Sequence, residues 1–348
     1  MTSDKKMAVV LCTDENQIWQ AAYALVRSFL LDTTNEIQHY LYVSAQVDPR
    51  LETLFSRYFR IVYCLDDIVP PEKFKSHGYV SQATLLRLKA LGDLSHLHEF
   101  VLYLDNDIVQ RWGSPSDLMQ LQGFEQPIAA VADNTRWTQG RFWKNADFNL
   151  LPAGAQQKYF NAGMLFVNSR ALIAENIFEK ALGALTGASD PLPLADQSAL
   201  NIAVDGNWLE LSPSWNWQHS YLPGKIIALL NPRYVHFTGP VKPWANTTRE
   251  IEEIYTLSLL AFLKHFGLDD VHNEIAAENF PKKRLTHYMK RTHGISEKTL
   301  SRYDKSLPYF SDGTFADRQS GILAFGADAE RQDYPFPELF NFLGLNPD

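Results

Sequence analysis

The sequence predicts an α/β protein with a mainly parallel sheet, flanked by helices and followed by a helical and irregular extension. Two observations carry this prediction. Short apolar runs alternate with stretches of helical periodicity through the first third of the chain. One of these runs, FVLYL at 100–104, ends in two carboxylates, Asp105 and Asp107. Strands interleaved with helices favour parallel pairing, and the carboxyl ends of parallel strands are where such sheets bind ligands.

Each predicted element rests on a local pattern. Apolar runs predict strands at 7–12, 37–43, 60–65, 100–104, 128–132 and 163–167. Apolar residues that recur every three or four positions predict helices at 17–31, 49–58 and 81–94. A polar, aromatic loop over 134–158 separates the last two strands, and connections of that length are usually functional or mobile.

Beyond residue 168 the pattern is less regular. The elements predicted there are a helix over 170–185, a strand over 234–237 and a helix over 248–266. From about Lys305 the chain is rich in Phe, Pro, Gly and Asp and has no helical periodicity. We therefore expect a main domain at 1–265 and a C-terminal extension at 266–348, whose tail over 305–348 is irregular.

Composition excludes several classes of protein. The chain has 348 residues, 45% of them hydrophobic and 21% charged, which is ordinary for a globular domain. Its net charge of −8 predicts no nucleic-acid partner. The two cysteines imply no disulfide framework, and no segment approaches the roughly 20 apolar residues that cross a bilayer. The N-terminal apolar run is too short for a secretory signal, so we expect a cytoplasmic protein.

The two carboxylates that follow the fourth predicted strand form an Asp-x-Asp pair. Carboxylate oxygens are hard ligands that suit Mg²⁺ or Mn²⁺, and such ions are often held by one or two carboxylates plus substrate phosphates. Asp105 and Asp107 therefore predict a metal that bridges a diphosphate. The same spacing at a strand end also occurs in ordinary surface turns.

Five blocks of sequence together resemble a known family. They are LCTDEN at 11–16, the carboxylate strand at 100–109, YFNAGMLFVN at 159–168, DQSALN at 196–201 and HFTGPVKPW at 236–244. In this order they resemble the family 8 glycosyltransferases. The resemblance implies a GT-A fold, in which a Rossmann-like mixed sheet is flanked by helices, and sugar transfer from a nucleotide donor with retention of anomeric configuration. It would make residues 1–265 the catalytic domain.

The resemblance also implies a metal site. Asp105 and Asp107 would hold Mn²⁺ against the donor diphosphate, with His236 as the third protein ligand. Imidazole with carboxylates suits Mn²⁺ better than Mg²⁺, which is the other candidate. Gly239 would allow the backbone to approach phosphate closely, and Lys242 would bring a positive charge to it. The alternatives are a core histidine for His236 and a solvated surface lysine for Lys242.

A second implied set of residues binds the nucleoside of a UDP-hexose donor. Its members are Cys12, Thr13, Asp14, Asn16 and Asn106. The family often has an aromatic residue directly after the asparagine of LCTDEN, stacked on the uracil. Here Gln17 takes that position, and the nearby Trp19 could replace the stacking contact. Asp14 could also be a helix N-cap.

A third implied set faces the sugar. Its members are Arg87, Asp133, Asn161, Ala162, Asp196 and Gln197. Arg87 would reach the donor sugar and phosphate, although an arginine on such a helix is often a snorkelling surface residue. Gln197 would lie beneath the anomeric carbon. Because a neutral amide is a poor nucleophile, we expect front-face attack within an ion pair, in which the leaving diphosphate takes the acceptor proton.

Two other classes of protein fit parts of the sequence. Residues 105–109 also fit the Asp-x-Asp-x-Val of haloacid-dehalogenase-type phosphatases, in which the first Asp is the nucleophile. That Asp normally follows the first strand, whereas Asp105 follows the fourth. The second class is a sugar-nucleotide-binding protein without turnover, which the intact metal, phosphate and sugar-facing residues disfavour.

Within the family, the rival interpretation is a glycogenin-like protein that glucosylates itself. HFTGPVKPW and SYLP at 220–223 both resemble glycogenin, but His219 stands where its acceptor tyrosine would be. We therefore expect a bacterial-type transferase that moves galactose or glucose to a lipopolysaccharide, a capsule or another cell-surface glycan. The acceptor would be an oligosaccharide or a lipid-linked glycan.

A basic segment at 281–298 stands out in this acidic protein, with five Lys or Arg residues within 282–291. Such a segment could rest on an anionic membrane, where a lipid-linked acceptor would lie. The enzyme would then be peripheral on the inner face of the cytoplasmic membrane. An ordinary solvated helix explains the segment equally well.

Overall fold

A computed structural model of the chain describes residues 5–66, 82–121, 124–137, 151–188, 192, 194–220, 230–239, 242–244, 253–279, 297–311 and 313–322. The strands are β1 Met7–Thr13, β2 Ile37–Val43, β3 Arg60–Tyr63, β4 Phe100–Leu104, β5 Ile108–Gln110, β6 Ile128–Ala132, β7 Phe160–Asn168, β8 Leu209–Leu211, β9 Trp217–Gln218 and β10 Tyr234–His236. The helices are α1 Ile18–Leu31, α2 Arg50–Phe55, α3 Gln82–Ser95, α4 Ala153–Gln157, α5 Ser169–Ala174, α6 Ile177–Gly187, α7 Ala195–Val204, α8 Glu253–His265, α9 Asp269–Asn279, α10 Glu297–Phe310 and α11 Ala316–Gln319. Short 3-10 turns cover Glu15–Gln17, Pro115–Gln120, Asn134–Arg136 and Pro213–Trp215.

A seven-stranded sheet lies at the centre of the fold, in the order β3-β2-β1-β4-β7-β6-β8. Strand β7 runs antiparallel between β4 and β6, and the other neighbouring pairs are parallel. The predicted α/β class with a mixed sheet is therefore confirmed. Leu11 of β1 pairs with Leu104 of β4, so the residues that follow these two strands emerge at the same edge of the sheet.

Helices cover both faces of this sheet. Alternate residues of β1 point to opposite faces, as the period of a strand requires. Met7, Val9 and Leu11 pack in one apolar cluster with residues of α1, α2 and α8. Ala8 and Val10 pack in the other cluster with residues of α3, α6 and α7. An almost continuous apolar strand such as β1 is what a sheet buried on both sides needs.

A second, three-stranded sheet in the order β5-β10-β9 brings a distant segment to the carboxylates. Strand β5 begins directly after Asp107, and β10 pairs antiparallel with it so that His236 lies opposite Ile108. The N–H of Phe237 also donates to the main-chain oxygen of Asp107, over 2.9 Å. Pairing between segments far apart in sequence thus places His236 beside the Asp-x-Asp pair.

Two predicted elements are wrong in part. The helix predicted over 170–185 is two helices, α5 and α6, because Asn176 between them has a left-handed backbone with φ of 51°. Asparagine adopts this conformation at little cost. The chain beyond Lys305 is not irregular throughout, since α10 runs to Phe310 and α11 follows it.

Packing explains why α10 forms despite Pro308 within it. Phe310 is 3% exposed, and its ring lies 5.5 Å from that of Trp137 and 5.3 Å from that of Trp217, between centroids. Burial of a phenylalanine among two tryptophans contributes about 1.5–3 kcal/mol, which is comparable to the roughly 3 kcal/mol cost of a proline in a helix interior.

Helices α10 and α11, which follow residue 265, also pack against β8. The buried carboxylate of Asp317 in α11 accepts hydrogen bonds from the N–H and the hydroxyl of Ser212, at 2.9 and 2.6 Å. The division at residue 265 stays a prediction. Residues 281–296 of the basic segment, and the tail beyond residue 322, lie outside the described residues. Within the part of the chain that is described, no helix is long and apolar enough to span a bilayer.

Candidate active site

Three side chains of ligand type meet at the carboxyl edge of β4. One oxygen each of Asp105 and Asp107 and a ring nitrogen of His236 all lie within 4.8 Å of one another. Nε2 of His236 is 3.2 Å from Oδ1 of Asp107 and 3.8 Å from Oδ2 of Asp105. Two carboxylates and an imidazole at these distances fit a divalent cation such as Mn²⁺. The structure therefore brings the three predicted metal ligands together.

Two neighbours orient the carboxylate of Asp105. Its Oδ1 accepts hydrogen bonds from the hydroxyl of Tyr103, at 2.7 Å, and from the guanidinium of Arg87, at 2.8 Å. These bonds turn the other oxygen, Oδ2, towards His236. Tyr103 is two residues before Asp105, and its hydroxyl was not among the predicted site residues.

The ammonium of Lys242 lies beside the three predicted metal ligands. It contacts Oδ2 of Asp107 and donates to the main-chain oxygen of Phe237 at 2.7 Å. Burial alone would raise the pKa of Asp107, but the facing His236 and Lys242 outweigh burial and hold that pKa well below its usual range. Asp107 is thus ionised, and Lys242 supplies a positive charge at the place where a metal would lie. The predicted phosphate-binding cation is close to the predicted metal ligands.

Only 11% of the side chain of Arg87 in α3 is exposed, so it is not a snorkelling surface residue. Besides Asp105, it donates to the main-chain oxygen of Ala162 at 2.8 Å and forms an ion pair with Asp196 at 3.3 Å. Burial by itself would lower the pKa of Arg87, but the two carboxylates outweigh it and raise that pKa. Burial raises the pKa of Asp196, and Arg87 opposes that rise. The guanidinium thus joins Asp196, which is predicted to face the sugar, to Asp105, a predicted metal ligand.

The remaining predicted sugar-facing residues form one hydrogen-bonded group. Oε1 of Gln197 accepts from the N–H of Ala162 at 3.0 Å and from the amide of Asn161 at 3.2 Å. Nε2 of Gln197 donates to Oδ2 of Asp133 at 3.3 Å. The group joins the end of β6, the start of β7 and α7. It is linked to the predicted metal ligands through Arg87, which bonds both Ala162 and Asp105.

Four of the predicted nucleoside-binding residues lie at the end of β1 or shortly after it: Cys12, Thr13, Asp14 and Asn16. Cys12 and Thr13 are buried, and burial raises the pKa of the Cys12 thiol, so it offers a neutral contact. Asp14 caps the 3-10 turn at Glu15–Gln17 by accepting from the N–H of Asn16 at 2.9 Å, which agrees with its alternative role as an N-cap. These residues lie at the same edge as Asp105 because β1 and β4 pair in parallel.

Two other predicted contacts have features that suit a ligand. Gly239 is exposed and has φ of 86°, a conformation that favours glycine, and a Cβ there would meet nothing within 4 Å. The buried Oδ1 of Asn106 accepts no hydrogen bond from any described residue. In sequence, Asn106 lies between the two aspartates and Gly239 lies shortly after His236.

Two residues that contact His236 were not among the predicted site residues. Oδ1 of Asn216 lies 3.0 Å from Nδ1 of the imidazole, and the Cα of Gly163 faces the ring, where a Cβ would come within 2.2 Å of Cε1. The sequence around each of them does contain a feature that could have identified it. Asn216 is a lone amide between two tryptophans, and Gly163 is a glycine within a strand that otherwise predicts a buried core.

The chain is similar in sequence to a known family of glycosyltransferases and to several bacterial proteins. The sequence profile of glycosyl transferase family 8 matches residues 9–248. The chain is 27% identical over 253 residues to a lipopolysaccharide 1,3-galactosyltransferase of Salmonella typhimurium, covering 69% of this chain and 73% of that protein. It is 28% identical over 272 residues to general stress protein A of Bacillus subtilis, covering 72% of this chain and 91% of that protein.

Solved structures share the fold. The bifunctional glycosyltransferase WbbM in its apo form superposes with a TM-score of 0.58 and 18% identity, over 80% of this chain and 52% of WbbM. The galactosyltransferase LgtC, in complex with donor and acceptor sugar analogues, superposes with a TM-score of 0.52 and 18% identity, over 85% of this chain and all of LgtC. These likenesses show a GT-A fold. Because the profile match covers well over half of the chain and includes every predicted site residue, the chain belongs to glycosyltransferase family 8.

Proposed function

We propose that this enzyme transfers a hexose, galactose or glucose, from a UDP-sugar to a glycan acceptor with retention of the α configuration. The observation that carries the proposal is the cluster of Asp105, Asp107 and His236 within 4.8 Å, with the ammonium of Lys242 against it. A cation site of this composition suits the diphosphate of a nucleotide sugar.

The chain's own charges suit departure of a diphosphate. Mn²⁺, when bound by the two aspartates and His236, would act as a Lewis acid on the diphosphate. Lys242 would leave Asp107 and donate to the phosphate oxygens, while Arg87 holds the Oδ1 side of Asp105 in place. Positive groups fixed beside the leaving group stabilise the charge that develops on it in the transition state.

The hydrogen bonds of Gln197 favour front-face attack. Its Oε1 already accepts from Ala162 and from Asn161, so the oxygen of a neutral amide is further weakened as a nucleophile. In the reaction we propose, the acceptor hydroxyl attacks the anomeric carbon on the side that the diphosphate leaves. The bond from carbon to the diphosphate oxygen breaks, the glycosidic bond forms, and a diphosphate oxygen takes the proton of the hydroxyl. Asp133 and Asn161 would hold the sugar hydroxyls.

A separate glycan acceptor is favoured over self-glucosylation. His219, at the position of the glycogenin acceptor tyrosine, has no hydroxyl and is 5% exposed, with its ring against Phe237. The Salmonella relative is named for lipopolysaccharide, which supports a lipopolysaccharide or another cell-surface glycan as the acceptor class. Contact of the basic segment 281–298 with an anionic membrane remains part of this proposal.

A donor screen tests the proposal. The purified enzyme is incubated with Mn²⁺ and UDP-galactose, UDP-glucose or UDP-N-acetylglucosamine, with and without truncated lipopolysaccharide-core oligosaccharides, and products are identified by mass spectrometry. We expect one UDP-hexose to be consumed and one hexose to be added to an oligosaccharide, while the mass of the protein stays unchanged. A gain of hexose by the protein itself would favour the glycogenin-like reaction. No release of UDP from any donor would contradict the proposal.

A further inference from the structure

A line of side-chain amides joins the sugar-facing group to the metal cluster. Nδ2 of Asn161 lies 3.2 Å from Oε1 of Gln197, Nδ2 of Asn216 lies 2.9 Å from Oδ1 of Asn161, and Oδ1 of Asn216 lies 3.0 Å from Nδ1 of His236. Asn161, Asn216 and His236 are 7%, 0% and 4% exposed. Water has little access to these three side chains, so their polar atoms bond one another.

Backbone N–H groups fix the direction of this line. A side-chain amide can present either oxygen or nitrogen to its neighbour, and its orientation follows from partners that have no such choice. The N–H of Gly163 lies 3.1 Å from Asn161 and the N–H of Ala162 lies 3.0 Å from Gln197. A backbone N–H can only donate, so it must meet the oxygen of each amide. The orientations of Asn161 and Gln197 are therefore determined.

The orientation of Asn216 follows from that of Asn161. Since Oδ1 of Asn161 is an acceptor, Asn216 must turn its NH₂ group towards it, which leaves Oδ1 of Asn216 facing His236. An amide oxygen only accepts, so Nδ1 of His236 carries a proton. The nitrogen left to bind a metal is Nε2, which is the one that faces Asp105 and Asp107.

We infer that Asn216 is a positioning residue that holds His236 with a proton on Nδ1 and presents Nε2 to the divalent cation. Asn216 contacts neither aspartate through any hydrogen bond in the described residues, so it acts through the imidazole. Histidine ligands generally need such a partner for the second nitrogen, which fixes both tautomer and ring direction. The inference rests on the proposed function, because it takes His236 to be a metal ligand.

Metal affinity provides the first test. Asn216→Leu keeps the branched outline of the side chain, although leucine is larger, and removes both hydrogen bonds. We expect the dissociation constant for Mn²⁺, measured from the electron paramagnetic resonance of free Mn²⁺, to rise by about 10- to 100-fold, the usual effect of losing such a partner. Asn216→Asp retains an oxygen for Nδ1 and should regain much of the affinity.

A matched control separates this role from the loss of a buried asparagine. Asn201 is also 0% exposed, and its amide bonds the N–H and the main-chain oxygen of Phe160. It has no hydrogen bond to His236 among the described residues. Asn201→Leu should lose stability and yet bind Mn²⁺ nearly as the wild type does.

Nitrogen-15 NMR reads the tautomer directly, in protein labelled at histidine and loaded with diamagnetic Zn²⁺. In the wild type, His236 should show a protonated Nδ1 and a ligated Nε2, and Asn216→Leu should lose the protected Nδ1–H signal. His98 serves as an internal reference for the fold, because its Nδ1 lies 2.9 Å from the main-chain oxygen of Lys5. Its signal should be the same in both proteins.

The outcomes distinguish this inference from the proposed function. A wild type that binds neither Mn²⁺ nor Zn²⁺ would contradict the metal site itself. A wild type that binds metal through Nδ1, with the proton on Nε2, would overturn the role of Asn216 without any variant. Equal Mn²⁺ affinity and an unchanged His236 spectrum in Asn216→Leu would overturn it as well, and would leave the metal site intact.

Discussion

A Cβ atom on Gly163 would lie 2.2 Å from Cε1 of His236 and 2.6 Å from Nδ1. Cβ atoms do not approach other atoms so closely, so the imidazole occupies space that any other side chain at this position would need. The ring is held from one side by the main chain of β7 and at its edge by Asn216. The position of the predicted metal ligand thus depends on the absence of a side chain at Gly163.

Gly163→Ala should therefore displace His236 and weaken the metal site. Inserting a methyl group into packed surroundings typically costs about 1–3 kcal/mol of stability. We expect Mn²⁺ affinity to fall about tenfold or more, as it does when the orientation of a ligand is lost. Titration with Mn²⁺ and thermal unfolding would measure the two effects.

Gly183→Ala is the matched control for that variant. Gly183 lies inside α6, and a Cβ there would meet nothing within 4 Å. Alanine in a helix is favoured over glycine by about 0.5–1 kcal/mol, so this variant should be slightly more stable and bind Mn²⁺ as the wild type does. Equal Mn²⁺ affinity of the two alanine variants would show that His236 tolerates a methyl group beside it.

Removal of a carboxylate should abolish most of the activity. Asp107 faces both His236 and Lys242, so Asp107→Ala would leave a cation site with a single carboxylate. We expect turnover of the UDP-sugar to fall on the order of a hundredfold or more, and EDTA to have a similar effect on the wild type. Asp93→Ala serves as control, because Asp93 is 40% exposed and pairs with Lys89 on α3. Turnover that survives EDTA would contradict the metal assignment.

Local patterns predicted the strand at 100–104 with its two aspartates, and the structure has that strand at the same residues. His236 was found through HFTGPVKPW, a block whose members lie close together in sequence. The role of Asn216 depends on contacts with residues that are 20 and 55 positions away, which no local pattern contains. Glycine is likewise required at position 163 only because the ring of His236 packs against it in the folded chain.

Helix α10 likewise forms for a reason that its local sequence does not contain. Pro308 and the mixture of Phe, Gly and Asp around it argue against a helix when they are considered alone. The residue that stabilises α10 is Phe310, and its partners Trp137 and Trp217 are more than 90 residues away in sequence. Tertiary packing overrides local propensity at this position.

Gln197→Ala should slow transfer and leave affinity for UDP nearly intact. The amide of Gln197 bonds Ala162, Asn161 and Asp133, all predicted to face the sugar and not the nucleotide. A lower kcat with an unchanged dissociation constant for UDP, measured by calorimetry, is the expected result. Loss of UDP binding in a folded variant would place the amide at the nucleotide instead.

The anomer of the first product tests retention. A separate catalytic base, which an inverting reaction requires, is not needed when the diphosphate takes the acceptor proton. Proton NMR of the product formed by the wild type should therefore show the α anomer. A β anomer would exclude front-face attack.

Buried His39 predicts a loss of stability in acid. Burial lowers its pKa to about 4, and Asp32 opposes this only in part, while the ring lies 3.1 Å from the hydroxyl of Ser28. In the unfolded chain the pKa of a histidine is about 6.5, so between these values the unfolded state binds more protons than the folded state. The stabilising contribution is complete above about pH 6.5 and falls as the pH drops towards 4, by up to about 3 kcal/mol.

Urea unfolding at pH 7.5 and pH 5 would measure this dependence in the wild type and in His39→Gln. Glutamine can keep a hydrogen bond to Ser28 and does not titrate, so the variant should lose less free energy of unfolding between the two pH values. Some dependence should remain, because burial also lowers the pKa of His219 to about 4. The difference between the two proteins therefore isolates His39. An equal loss of free energy in wild type and variant would contradict the prediction. It would mean that His39 accepts a proton in the folded protein as readily as in the unfolded chain.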